Sequence, residues 1–398
     1  MALNDTQLPK VLMLGTFGFQ PKATMRARAL GIAMTLETRG WDVLVGTTPW
    51  DYPSDAGKHW LEGGVRVANT HVTRPALWPL AVTEMVRWER AQGPALVHVF
   101  KPKGFGDLAG RLLRRHTPLV VDMDDWEGNG GWNDSGRYGP LQRRLFDWQE
   151  RTLPGHARSV SVASRELERR AISLGVAPDR VHYIPNGLPA SRFEQLASGR
   201  LANDAREPGE LGQRILLYTR FVEFDPAFIV GALSRVRTRF PYANLVIAGA
   251  SADGVAEAIL ARDAKRAGLS AAIDHLGWIQ PETLGSLARS CALAIHPFDD
   301  NVLNRAKCSV KLLELMAAGI PVVTTRVGEN AEYIEHGVSG WLVDPGDPEA
   351  FGDVVVRLLS NADLRSRLGG GAVERALRNF SWDRLVDRVI DTYSQALA

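Results

Sequence analysis

Short apolar runs alternate with amphipathic segments along this chain, and the alternation occurs twice. Lys10–Thr16 (KVLMLGT) reads as a buried strand. Thr24–Arg39 carries apolar residues at helical spacing and stops at Gly40, and Asp42–Thr47 reads as a strand again. Ala95–Phe100, Leu119–Asp122 and Ser159–Val162 predict further strands with helices between them. A polar stretch rich in glycine, charge and small residues, Ala197–Gln213, then interrupts the pattern. Beyond it Arg214–Thr219, Leu245–Ala248, Ala292–His296 and Pro321–Thr324 predict a second set of strands. Strands separated by crossover helices pair in parallel, and a parallel sheet is covered on both faces. The expectation is an α/β chain of two Rossmann-like, doubly wound domains facing across a cleft. The 398 residues suffice for both. We place the first at 1–195 and the second at 212–375. An amphipathic tail, 376–398, predicts a terminal helix with Ser381 as its N-cap, packing back toward the first domain.

The bulk numbers exclude some partners. A net charge of +2 gives no case for nucleic acid. Two cysteines, Cys291 and Cys308, exclude a disulfide framework and a thiolate metal cage, and fit a reducing cytoplasm. No apolar run approaches the roughly 18 residues of a membrane span, and the N-terminus does not read as a signal peptide. Eleven tryptophans predict core and domain-interface packing.

In doubly wound sheets, ligands bind beyond the carboxyl ends of the strands, at helix N-termini and loops. The segment Asn304–Asp347 is the richest of this kind. Lys307, Ser309, Lys311 and Glu314 sit at the front of one predicted helix. A helix N-terminus gathers unpaired N–H groups and partial positive charge, so it favours an anion. A carboxylate one turn in would hold hydroxyls. A diphosphate on the helix end and a ribose on the acid would suit a nucleotide diphosphate sugar. The alternative at this point is a capped surface helix with solvated lysines.

The same segment, K-L-L-E-L-M-A-A-G-I-P-V-V-T-T followed by V-G-E-N-A-E-Y-I and G-V-S-G-W-L-V-D-P-G-D, resembles the C-terminal signature of the retaining GT-B glycosyltransferases of family 4. Arg180–Gly187 (RVHYIPNG), Asp274–Leu287 and Phe380-Ser381-Trp382 match other segments of that family in order and spacing. The resemblance implies that Glu314 holds the donor ribose and that Arg220 contacts the donor diphosphate. It implies that the backbone of Cys308, Ser309 and Val310 binds phosphate at a helix end. Lys307 and Lys311 fit the R-x-K-x-x-x-K donor loop of a variant subgroup, here Arg305 to Lys311. It further implies same-face sugar transfer without a metal or cofactor. Two departures stand out. The family's second acid, eight positions before the ribose glutamate, is Ala306 here, and the lysine that usually follows Arg220 is missing. Either the chain belongs to the variant subgroup or its activity has decayed. Asp299 or Asp300 would then supply a sugar contact, unless they form a solvated turn.

In the first half, Gly15-Thr16-Phe17-Gly18-Phe19 follows the first strand but lacks the dinucleotide fingerprint. The resemblance places Gly15, Thr16 and Phe17 beside acceptor and donor phosphate. Asp122-Met-Asp124-Asp125 has the carboxylate spacing of a shared metal site. We favour instead Asp124 or Asp125 orienting an acceptor hydroxyl, or capping a turn. His98 reads as a hydrogen-bonded core histidine, and Lys101 and Lys103 as loop lysines facing the cleft. Arg111, Arg114 and Arg115 are expected on one helix, with Arg137, Arg143 and Arg144 further on. They suit either anionic lipid headgroups at the inner face of a membrane or a solvated surface. The tryptophans of the Trp126–Tyr138 loop would stack on an acceptor. The expected activity is transfer of a sugar from a nucleotide diphosphate sugar to a glycan, lipid-linked or small-molecule acceptor. Two rivals remain: a GT-B sugar-nucleotide epimerase, and a non-catalytic nucleotide-sugar-binding homologue.

Overall fold

The computed structural model describes residues 9–20, 25–134, 138–198 and 213–398. Thr24, Arg137 and residues 199–212 of the polar stretch lie outside the described residues. Contacts divide the chain into two units, one of 1–187, 306–308 and 382–398, the other of 188–305 and 309–381.

The first unit is built on β1 (Lys10–Gly15), β2 (Asp42–Thr47), β3 (His59–Glu62), β4 (Val65–Asn69), β5 (Leu96–Phe100), β6 (Leu119–Met123), β7 (Ser159–Val162) and β8 (Val181–Tyr183). Their spatial order is β3-β4-β2-β1-β5-β6-β7-β8. All neighbours are parallel except β3, which runs antiparallel along β4 at the edge. Its helices are α1 (Gly31–Thr38), α2 (Trp78–Gln92), α3 (Gly104–Leu113), α4 (Pro140–Thr152) and α5 (Arg165–Ser173). A π-helical turn, Met25–Leu30, leads into α1. Strands β5 and β6 are buried at every position, as a parallel sheet covered on both faces requires.

The second unit contains α6 (Ala190–Ser198), β9 (Arg214–Tyr218), α7 (Pro226–Arg239), β10 (Asn244–Ala248), α8 (Val255–Arg266), β11 (Ile273–Gly277), α9 (Leu284–Arg289) and β12 (Leu293–His296). It continues through α10 (Val302–Ala306), α11 (Val310–Ala317), β13 (Val322–Thr325), α12 (Asn330–Tyr333), β14 (Trp341–Val343), α13 (Pro348–Leu359) and α14 (Ala362–Asn379). Its six strands run β11-β10-β9-β12-β13-β14, all parallel.

The terminal helix α15 (Trp382–Leu397) belongs by its contacts to the first unit. It packs on α1 and on β5, β6 and β7. Trp382 and Tyr393 are fully buried there. The contact with α1 depends on Gly31, where a Cβ would stand 2.3 Å from Trp382 Nε1.

Both sheets reverse their winding between two neighbouring strands, β1 and β5 in the first and β9 and β12 in the second. Loops leaving the carboxyl ends of such strands diverge and leave room for a ligand. The segments after β1, β5, β9 and β12 therefore position the candidate groups.

Candidate active site

In the second unit, β12 ends at His296 and leads through a loop and α10 to α11. Ser309 caps α11: its hydroxyl accepts from the Leu312 N–H at 3.3 Å and lies 3.0 Å from His296 Nε2. The sequence expectation of a capped helix with Glu314 one turn in holds here. Lys311, in the first turn, stands with its ammonium 4.9 Å from the centre of the Tyr218 ring, at the end of β9. Arg192, on α6, grips the Glu314 carboxylate through Nε at 2.8 Å and Nη2 at 2.5 Å, both to Oε1. Burial raises the pKa of the Tyr218 phenol, and the nearby Glu314 carboxylate adds to the effect.

Arg220 is exposed on the loop after β9. Glu223 organises that loop. Its Oε2 accepts from the Thr219 hydroxyl at 2.9 Å, the Val222 N–H at 3.1 Å and the Arg220 N–H at 3.3 Å. These bonds hold Phe221 at φ 60°, a left-handed conformation uncommon for a residue with a side chain. The Glu223 carbonyl accepts from the Asp299 N–H at 2.8 Å and from the Asn304 amide at 2.7 Å. The β9 and β12 loops are thus tied together. Asp299 Oδ2 accepts from the Asp225 N–H at 2.9 Å, and Asp300 pairs with Arg305. Both carboxylates are engaged within the loops themselves.

Ala306, Lys307 and Cys308 group with the first unit. Ala306 is fully buried. The Lys307 ammonium lies 5.5 Å from the Trp132 ring centre. Cys308 accepts from Asn186, at its carbonyl from the side-chain amide at 2.8 Å and at its sulfur from the N–H at 3.2 Å. Among the donor-loop residues, Ser309, Val310, Lys311 and Glu314 form the front of α11, and Cys308 directly precedes its cap.

The first unit corrects several expectations. Lys101 and Lys103 are not open loop lysines; they are 5% and 2% exposed. Lys101 Nζ sits 3.3 Å from Asp124, 3.0 Å from Asp125 and 2.9 Å from Glu127, and Lys103 Nζ sits 2.6 Å from Glu127. Burial opposes both charges, yet the surrounding carboxylates hold both lysines above their ordinary range. Burial likewise works against the Glu127 carboxylate, but the two ammoniums hold it down to about 2. Burial pushes Asp124 up to about 7 despite Lys101, with Asp125 and Asp122 adding to the rise. Lys101 itself sits at φ 63°, a strained backbone position that this ion cluster retains. Asp125, with 20% of its side chain exposed, is the most open carboxylate of the group.

Asp122 is structural. Arg28 binds both its oxygens at 2.7 and 2.6 Å, and Ser161 donates to it at 2.5 Å. His98 bonds the Tyr393 hydroxyl at 2.8 Å, in agreement with a core role, and burial lowers it to about 4. The Gly15–Phe17 loop is closed on the protein. The Thr16 hydroxyl donates to the Lys103 carbonyl and accepts from the Gly106 N–H at 3.2 Å, while Phe17 is buried beside Trp50. Trp126 is also buried, with Nε1 donating to the Asn129 carbonyl at 2.7 Å, so it braces its loop rather than offering a stacking face. α3 ends at Leu113, and Arg114 and Arg115 lie just beyond it. Sequence reasoning missed Arg192, Glu223 and Glu127. Arg192 and Glu314 stand 122 positions apart with no spacing to connect them.

Residues 23–187 match the family described as glycosyl transferase 4-like domain, and residues 212–361 match glycosyl transferases group 1. A D-inositol 3-phosphate glycosyltransferase of Salinispora tropica is 31% identical over 238 residues, 56% of this chain and 47% of that protein. An uncharacterized glycosyltransferase of Methanocaldococcus jannaschii is 26% identical over 243 residues, 60% of each. The chain thus aligns with about half to three-fifths of the length of these relatives. Sucrose-phosphate synthase from Thermosynechococcus elongatus shares the fold with a TM-score of 0.75 at 19% identity, over 97% of this chain and 98% of that one. Anabaena HepE in complex with UDP does so at 0.71 and 18% identity, over 97% and 99%. With one glycosyltransferase family matching each half and the GT-B fold throughout, the chain belongs to the GT-B glycosyltransferases.

Proposed function

We propose that the chain is a retaining glycosyltransferase that moves a sugar from a nucleotide diphosphate sugar to a hydroxyl acceptor, in the cytoplasm and without a metal or cofactor. The observation that carries this reading is the front of α11. A capped helix end, Lys311 and the arginine-held Glu314 converge there beside the winding reversal of the second sheet. The helix N-terminus, Lys311 and Arg220 would take the diphosphate, with Glu314 on the ribose. The bond from the sugar C1 to the diphosphate oxygen breaks and negative charge grows on the leaving group. Those cations stabilise it. The acceptor oxygen bonds C1 from the same face, and its proton passes to the leaving diphosphate, so no protein nucleophile is needed. Asp125, the open edge of the Lys101 cluster, would orient the acceptor hydroxyl, with Asp124 behind it.

HepE is known in complexes with UDP and with UDP-glucose, which makes uridine diphosphate sugars the first donors to test. Incubation with a panel of nucleotide sugars separates the readings. Transfer or slow hydrolysis with the anomeric configuration kept supports the proposal. Epimerised sugar supports an epimerase, and tight nucleotide binding without turnover supports a non-catalytic homologue. An inverted product overturns the retaining mechanism.

A further inference from the structure

We propose that the outer face of α4, with the end of α3, docks onto an anionic lipid bilayer. α4 has two unlike sides. Its inner side serves the first unit. Gln149 accepts from the Gly104 N–H at 2.8 Å, Glu150 is fully buried, and the Phe146 ring lies 4.6 Å from the Lys103 ammonium. Its outer side carries Leu141, Leu145 and Trp148, which are 82%, 42% and 47% exposed. Their spacing of four and three residues places them on one stripe of the helix. Leu112 of α3, 48% exposed, extends the apolar surface. The two helices are joined there, because Arg111 stacks 4.0 Å from the Trp148 ring and donates to the Thr152 hydroxyl at 2.7 Å.

This apolar stripe is set in arginine. Arg111, Arg143 and Arg151 are paired with Asp107, Asp134 and Asp147, while Arg114, Arg115 and Arg144 are exposed and carry the surplus. Three exposed arginines thus stand on α4 and just beyond the end of α3, in a chain whose whole net charge is +2. A shallow groove lined by Pro140, Arg144, Trp148 and Arg151 runs along it. Leucines and a tryptophan flanked by arginines form the composition of an interfacial helix, with the apolar groups at the acyl boundary and the guanidiniums among phosphates. No helix among the described residues is long and apolar enough to cross a membrane, so contact would be made from the surface. The Lys101 cluster lies on the opposite side of α4 from this face. If the transferase reading holds, an acceptor anchored in lipid would be presented to that unit at the membrane.

The surface is tested without donor or acceptor, so its failure is separable from failure of the transferase reading. The full chain is sedimented with phosphatidylglycerol-containing vesicles and with pure phosphatidylcholine vesicles. Binding to the anionic vesicles only, weakened by salt, is expected. A Leu141→Asp/Leu145→Asp/Trp148→Ala variant and, separately, an Arg114→Glu/Arg144→Glu variant are each expected to lower partitioning about tenfold or more with unchanged circular dichroism. Both sets are surface positions, so two variants keep the test alive if one folds poorly. Absence of wild-type binding at low salt, equal binding to neutral vesicles, retention on a soluble polyanion without vesicle binding, or wild-type partitioning of the folded variants overturns the proposal.

Discussion

Arg192 fixes one oxygen of Glu314. Both guanidinium bonds converge on Oε1, and the two side chains are only 11% and 13% exposed. The carboxylate proposed to meet the ribose is therefore held in a single orientation before any donor arrives. Preorganisation of that kind lowers the cost of binding. Arg192→Ala is expected to raise the donor KM about tenfold and to cost about 2 kcal/mol in urea unfolding, because a mostly buried acid loses its partner. An unchanged KM would separate this ion pair from donor binding.

Glu223 is the positioning residue of the Arg220 loop. It lies in the segment where the family resemblance leads one to expect a lysine, and it turns inward to accept from three donors. Glu223→Ala is expected to lower kcat/KM by about tenfold. Its effect should vanish in an Arg220→Ala background, since it acts through that arginine. Additive losses in the double variant would contradict the assignment.

Two buried groups give opposite pH slopes in stability. Burial lowers His98 from 6.5 to about 4. Below pH 6.5 the unfolded chain takes up a proton that folded His98 refuses until about pH 4, so stability falls as pH drops through that window, by about 3 kcal/mol at its foot. Asp124 is raised from 3.8 to about 7, so the folded form keeps a proton that the unfolded chain has lost. Its contribution is present in full below about pH 4 and is lost as pH rises through 7. His98→Gln should flatten the acid-side loss and Asp124→Asn the loss toward neutrality, as read from unfolding free energies between pH 4 and 8. Parallel wild-type and variant curves would contradict these environments.

Gly31 admits Trp382 against α1. Gly31→Ala should destabilise the chain by about 1–3 kcal/mol despite alanine's higher helix propensity, because Trp382 is fully buried and has no room to move. A melting temperature equal to or above wild type would contradict that packing.

The central strands were legible because a parallel strand buried on both faces writes itself as a mostly apolar run, as in LVHVF, whereas the edge strands β8 and β11 are only partly buried and gave no such run. Ser309 was legible because capping is local. What the sequence hid is non-local. Lys101 and Lys103 look like solvated loop lysines until the β6–α4 loop brings Asp124, Asp125 and Glu127 against them. Arg192 gives no local sign of serving Glu314. Thr16 and Phe17 follow a strand in a glycine-containing loop, yet the hydroxyl is taken up by the segment after β5 and the ring packs beside Trp50. Ala306 stands where the resemblance leads one to expect an acid, and it is buried.

The most direct test is transfer or hydrolysis of a uridine diphosphate sugar by the wild type beside Glu314→Ala and Lys311→Ala, each checked for an unchanged unfolding curve. With the donor seated on the front of α11, both variants should lose about a hundredfold or more in rate. Wild-type rates in both folded variants would contradict that placement.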